Sequence, residues 1–229
     1  GNLWVTDYAT TLSALNNFFI EGISQQIGRY PNADATNQGY LRIQSGSENN
    51  ILTDPTLAGQ NWTGATAVIR VNLFLLNKPV IQSHVGTTLT LAAPALGNYK
   101  VNAGYGYFIQ NHLSTLDQPG EWFYDKTAQK LYLYSTTDPD EYATEVPAYS
   151  TGFSASGKSY LIVQQLAFTQ SNDYAVRVDS TAGLLTSNIR IQYCSFANSH
   201  NAVWVNRASK IVVSDNDVVN TNNNALFIT

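Results

Sequence analysis

Three stretches near the C-terminus decide the fold: LIVQQLAFTQ (Leu161–Gln170) followed by AVRV (Ala175–Val178), IRIQYCSFAN (Ile189–Asn198) followed by AVWV (Ala202–Val205), and IVVSDNDVVN (Ile211–Asn220) followed by ALFI (Ala225–Ile228). Stacked, they place Leu161, Ile189 and Ile211 in one column and Val163, Ile191 and Val213 in the next. Leu166, Cys194 and Asn216 form a third column, and Phe168, Phe196 and Val218 a fourth. The following run aligns Val176, Val203 and Leu226, then Val178, Val205 and Ile228. Twenty-eight residues separate Leu161 from Ile189 and twenty-two separate Ile189 from Ile211. A period of that size, built from several two-residue alternations, suits a parallel β-helix, in which each coil gives short strands to sheets shared with its neighbours. Inward residues then stack into apolar ladders. Gln170, Asn198 and Asn220 align at a coil corner, where an amide can act as both donor and acceptor. Asn216 falls on an inward position and is expected to cap a turn or join an amide stack. Cys194, inward between Ile191 and Phe196, reads as a small buried hydrophobe.

Outside the repeat the chain is still β-rich. Ala67–Val71, Thr87–Leu91 and Lys130–Tyr134 read as strands, and Glu121–Tyr124 pairs with Lys130–Tyr134 as a hairpin across Asp125–Lys130. Only Thr10–Phe19 offers a turn or two of helix. The third repeat reaches Thr229 without a polar cap, and an open solenoid end exposes apolar side chains and strand edges. The expectation is a fragment of a longer solenoid, extending past Thr229 and before Gly1, with the remaining coils of its own chain as a partner.

Composition narrows the function. The 229 residues carry 12 Lys+Arg against 16 Asp+Glu, a net charge of -4, which speaks against a nucleic-acid partner. Charged residues are 12% and hydrophobic ones 44%, enough to form a core, with polarity carried largely by Asn, Thr, Ser and Gln. Apolar runs are no longer than stretches such as Leu73–Leu76, so no membrane insertion is expected. A lone Cys194 precludes an internal disulfide or a CxxC metal site. The pattern suggests an extracellular, secreted or cell-surface β-protein.

Gly104–His112 (GYGYFIQNH), Leu116–Asp125 (LDQPGEWFYD) and Leu131–Tyr134 (LYLY), with Gly28–Asn32 (GRYPN), Asn61–Ala65 (NWTGA) and Val68–Arg70 (VIR), carry a family resemblance. The chain resembles secreted bacterial right-handed parallel β-helix proteins of the pectate-lyase-like superfamily, some of which are glycoside hydrolases. One departure is Ile27-Gly28, where Ala more often precedes the Arg. The resemblance implies an all-β chain: a leading solenoid segment at residues 1–17, an inserted β-rich, barrel-like domain at 18–103, and the PGEW hairpin with the coils at 104–229. It implies a polysaccharide or oligosaccharide partner and a glycoside hydrolase. A non-catalytic carbohydrate-binding or adhesion scaffold and a polysaccharide lyase are the alternatives. It transfers no catalytic residue.

Candidate chemistry therefore comes from the residues themselves. Glycosidases need two carboxylates about 5 to 10 Å apart. Asp117, Glu121 and Asp125 lie in the PGEW hairpin, although Pro119-Gly120 is a turn signal and such acids commonly hold turn backbone. On the solenoid, Arg177, Trp204 and Phe227 alternate with inward residues and form one outward row, a cation and aromatic stripe on which a sugar ring could stack and hydrogen-bond. The alternative is that a loop covers the stripe as a secondary core. His200, at a corner in Asn198–Asn201, is a weak acid–base candidate. Asp215 and Asp217 flank Asn216 and could pair, but the oxygens a calcium site needs are lacking, so neither metal nor cofactor is expected. Arg207 and Lys210 could serve a lyase as cations. His84 and His112 show no evident partners in sequence.

Overall fold

The computed structural model describes residues 1–47, 50–92 and 99–229 and contains, among them, strands and short 3-10 turns but no α-helix. Contacts divide it into two compact units, one formed by 1–8 with 26–139 and the other by 9–25 with 140–229.

The second unit holds the repeat, and its registers are those of a parallel solenoid. One sheet stacks Thr151–Ser156, Tyr174–Asp179, Asn201–Asn206 and Asn224–Ile228 in parallel. A second stacks Ser159–Gln164, Ser187–Gln192 and Ser209–Ser214, and a third stacks Ala167–Thr169, Ser195–Ala197 and Asp217–Val219. Leu161 pairs with Ile189 and Ile189 with Ile211, as the alignment requires. The interior gathers Val163, Val176, Val178, Ile189, Ile191, Cys194, Phe196, Val203 and Val205. Phe168 and Phe196 stack with ring centroids 5.4 Å apart and planes 8° from parallel. Asn216 caps: its Oδ1 accepts from the Cys194 N–H at 2.9 Å and its Nδ2 donates to the Ile191 carbonyl at 3.0 Å.

The corners work differently from the expected amide ladder. Gln170, Asn198 and Asn220 adopt φ of 57°, 53° and 53°, as do Gln165, Tyr193 and Asp215 at 57°, 54° and 56°. These residues turn the chain through the left-handed region, which Asn and Asp tolerate better than other L-residues. Backbone bonds tie the first row, Gln170 N–H to Ala197 and Asn198 N–H to Val219. Amide-to-amide contacts occur elsewhere, with Gln192 donating to Gln164 and Asn223 and Asn224 to Asn201.

Thr10–Phe19 is not helical. Its polar backbone is instead spent on the solenoid corner: the Asn16 N–H donates to Asn172 Oδ1 at 2.9 Å, and Asn172 Nδ2 donates to the Ala14 carbonyl at 3.0 Å. Asn17, buried, donates to the Ser171 carbonyl and accepts from Asn222, so it spans from one coil to the next but one. The segment ends in an antiparallel pairing of Phe19–Ile20 with Ile23–Ser24 and Thr144–Glu145.

The first unit is antiparallel. One sheet has the order Ile81–Val85, Thr88–Leu91, Ile51–Thr53, Ser45–Ser47; another runs Arg29–Tyr30, Gly106–Gln110, Thr66–Arg70, Leu76–Asn77, with Leu41–Arg42 also on Gly106–Gln110. Their inner faces share one core that includes Leu52, Ile69, Leu89, Tyr107 and Ile109. Trp122–Asp125 and Lys130–Ser135 form the expected hairpin, joined by Asn2–Asp7 as a third strand. Gly106–Gln110, which the sequence reading placed with the coils, pairs inside this unit, and the hairpin clusters here too.

Candidate functional site

The outward row exists, with one more member than the sequence discloses. Arg177 pairs in register with Trp204 and Trp204 with Phe227 on successive rungs of the first solenoid sheet. Flanking residues Val176 and Val178, and Val203 and Val205, point inward, so strict alternation forces Arg177 and Trp204 out. Tyr174 joins them: its ring lies 5.3 Å from that of Trp204, tilted by 38°. Alternation from Val176 would send Tyr174 inward. Ala175 and Val176 are instead both buried in the core, and this double-inward step at the strand's start turns Tyr174 outward. The same step recurs at Ala202 and Val203.

Electrostatics fix the cluster. The Arg177 guanidinium carbon sits 4.9 Å from the Trp204 ring centroid and 5.7 Å from that of Tyr174. Its Nη2 donates to Asp179 Oδ2 at 2.8 Å, and Asn206 Nδ2 donates to Asp179 Oδ1 at 2.9 Å. The Arg177 side chain stays 40% exposed while that of Asp179 is 10% exposed. One planar cation is therefore held on edge by a nearly buried carboxylate and faced by two rings, an arrangement that limits its rotamers before any ligand arrives. Phe227, next along the row, is 41% exposed. The aromatic surface is half-buried by Arg177 and Tyr174 and still reaches solvent.

The carboxylate candidates lie elsewhere and are engaged by backbone. Glu121 is 4% exposed and accepts three N–H groups, from Arg29 at 3.2 Å and from Asp117 and Gln118 at 3.0 Å each. Burial pushes its pKa up, against those three bonds, which favour the charged form. Asp117 accepts from Asn32 Nδ2 at 2.7 Å, and Asp125 accepts from the Thr127 and Ala128 N–H groups to close the hairpin loop. Arg29, in the GRYPN element, lies 3.8 Å over the Phe108 ring and donates to the Pro31 and Gly39 carbonyls. GRYPN and PGEW are thus two halves of one polar clasp.

His200 opens the strand Asn201–Asn206; its N–H donates to the Ser171 carbonyl and its carbonyl accepts from Asn223. Asp215 occupies a left-handed corner and Asp217 the outer face of a short strand, both exposed. Arg207 and Lys210 are likewise exposed corner residues with φ of 51° and 55°. The two histidines without evident partners in sequence acquire them: Nδ1 of His84 accepts from the Trp62 N–H, and Nδ1 of His112 from the Ser114 N–H. Burial lowers the pKa of His112. The structure brings Arg177, Trp204 and Phe227 together with Tyr174 and Asp179.

Residues 122–229 match the family described as the right handed beta helix region, and residues 73–136 match the GH141 insertion domain. A solved structure titled "Glycoside hydrolase" is similar over 93% of this chain, with a TM-score of 0.58 and 18% identity. The chain spans 44% of that structure's length. No curated protein matches the sequence. The C-terminal part of this chain is a right-handed parallel β-helix, and residues 73–136 carry a GH141 insertion domain.

Proposed function

We propose that the first solenoid sheet is a polysaccharide-contacting face, within a protein that acts on glycans as a glycoside hydrolase. The observation that carries this reading is the rung-to-rung row Arg177–Trp204–Phe227 with Tyr174 beside it. Parallel rungs stand about 4.8 Å apart, so three rungs cover about 10 Å, roughly the width of one to two sugar rings. Apolar C–H faces of a pyranose stack on Trp204 and Phe227, and hydroxyls accept from the Arg177 guanidinium. The GH141 insertion domain and the likeness of fold to a glycoside hydrolase support the carbohydrate theme and the hydrolytic chemistry.

Cleavage needs a proton donor and a second carboxylate on the two sides of the scissile bond. The cluster contributes Asp179, held by Arg177 and Asn206, and so supplies binding and orientation here. A non-catalytic glycan-binding role is the second reading, favoured by that single carboxylate. Titration of the protein with a panel of neutral and acidic oligosaccharides tests the face. Trp204→Ala should weaken binding by about tenfold or more with the fold intact. Unchanged affinity, with a stability loss of about 3 kcal/mol, would make Trp204 a core residue and end the proposal. Product release from any glycan in the panel decides between hydrolysis and binding alone.

A further inference from the structure

The first unit holds a second, chemically different surface. Arg42 pairs with Gly106 across the sheet. On the other side of the same strand Tyr107 pairs with Ile69, and continuing that antiparallel register sets Gly106 beside Arg70. Residues in one cross-strand row share a face. Arg42 and Arg70 therefore flank a glycine, their Cα atoms about 10 Å apart across two strand spacings. The central position of the row is Gly106, onto which the Tyr40 ring packs, with a ring carbon 3.1 Å from where a Cβ would stand. A concavity of about 570 Å³ opens there, walled by Tyr40, Leu73, Phe74 and Tyr105.

Three features make this a receptor for an anion. The thirteen residues lining the concavity include two arginines and no carboxylate, in a chain whose net charge is -4. Arg70 is held in place: its Nε donates to the Asn72 carbonyl at 3.2 Å and its Nη2 to the Leu73 carbonyl at 2.7 Å, which engages two of five N–H donors and keeps the charge. The same bonds, with the Phe74 N–H donating to Asn72 Oδ1, shape the loop that presents Phe74, 86% exposed. Two like charges facing one hollow repel until an anion joins them, and a guanidinium fork matches a carboxylate.

We propose that this concavity of the first unit binds a hexuronate, a carboxylate-bearing sugar residue of a polysaccharide. The carboxylate lies between the outer ends of Arg42 and Arg70, beside the Tyr40 ring that packs on Gly106, and the apolar sugar face lies against Phe74. The concavity shares no residue with the Trp204 row.

The test is calorimetric titration of the chain with oligomers of galacturonate, mannuronate and glucuronate, and with their carboxyl-reduced neutral counterparts. At least one hexuronate series should bind about tenfold or more tightly than its reduced counterpart, with affinity falling as salt rises. Arg42→Gln and Phe74→Ala, both at exposed positions, should each weaken that binding about tenfold, with thermal unfolding showing the fold retained. Trp204→Ala should leave it unchanged. Failure of all three hexuronates, equal binding of the reduced oligomers, or indifference to both Arg42→Gln and Phe74→Ala would overturn the site. So would loss of hexuronate binding in Trp204→Ala alone, which would place the ligand on the solenoid instead. Loss of glycan binding to the Trp204 row with hexuronate binding intact would leave this site standing while the solenoid proposal fell.

Discussion

Arg177 lies over the face of Trp204 on the next rung, 4.9 Å from its centroid, while Asp179 two residues along its own strand holds the guanidinium edge at 2.8 Å. The contact joins rungs that the backbone already joins, so its contribution to stability is small. Its effect is orientation: the cation is parked against the ring.

Replacing Arg177 separates these roles. Arg177→Ala takes the guanidinium away from the nearly buried Asp179 carboxylate, which keeps the Asn206 amide, so it should cost about 1–3 kcal/mol of stability while weakening glycan binding about tenfold. Arg177→Lys should not rescue binding, since an ammonium cannot both stack flat and bridge to Asp179. Urea midpoints and calorimetric titration of the two variants check this. A Lys variant that binds as the parent does would show that charge alone matters.

Glu121 predicts a pH signature. Truncation by Glu121→Ala leaves three backbone N–H groups of the PGEW–GRYPN clasp without their acceptor and should cost about 3 kcal/mol. Because burial raises the native pKa, the native state holds this proton more tightly than the unfolded chain. Glu121 therefore contributes most below the usual carboxylate range, and stability falls as pH rises from there through the raised native value. Glu121→Gln has no such slope. The parent-minus-variant difference in unfolding free energy should shrink with rising pH across that window; a difference that grows would mean the carboxylate is favoured by its surroundings.

What the sequence discloses follows from range and repetition. The columns Leu161, Ile189, Ile211 and Val163, Ile191, Val213 are legible because the same two-residue alternation recurs within each coil, although the coils differ in length, and the row Arg177, Trp204, Phe227 follows from the same alternation. Tyr174 is not legible, because two adjacent inward residues, Ala175 and Val176, break the alternation that would locate it. The Arg42–Gly106–Arg70 row is hidden for another reason: its members come from strands far apart in sequence, and nothing local fixes their register. The corners are half legible. Asn198 and Asn220 are ordinary left-handed residues, but Tyr193 at φ 54° is not.

That corner yields its own prediction. A bulky residue in the left-handed region costs about 1 kcal/mol more than Asn or Gly does. Tyr193 is largely exposed, so Tyr193→Asn should raise stability by up to about 1 kcal/mol without altering the solenoid registers. Thermal unfolding measures the gain. A loss of more than 1 kcal/mol would mean that the ring makes a contact worth more than the strain.

The interior aromatic pair sets the upper end of the scale. Phe196 is fully buried and stacked on Phe168, so Phe196→Ala should cost about 3–5 kcal/mol by lost burial and cavity formation. Phe196→Leu, keeping most of the volume, should cost far less. Denaturant midpoints with unchanged slopes would establish both values, and equal losses would indicate that ring stacking rather than volume dominates.

The last prediction concerns how residues 9–25 are held. Asn172, fully buried, accepts from the Asn16 N–H through Oδ1 and donates through Nδ2 to the Ala14 carbonyl and to Asp173 Oδ1. One amide thus satisfies a donor and an acceptor of a segment more than 150 residues distant, a segment with no regular ladder around those groups. Asn172→Asp keeps the acceptor but removes the donor and adds a charge beside Asp173. Asn172→Leu removes both functions at similar volume and leaves the backbone of Ala14 and Asn16 unpaired. Each substitution should cost about 2–4 kcal/mol, with Asn172→Leu also opening the segment. Limited proteolysis should then cut the leucine variant first within residues 10–16, while the solenoid rungs stay protected. If cleavage begins instead among the coils, Asn172 supports the rungs themselves, and residues 9–25 depend on something other than this amide.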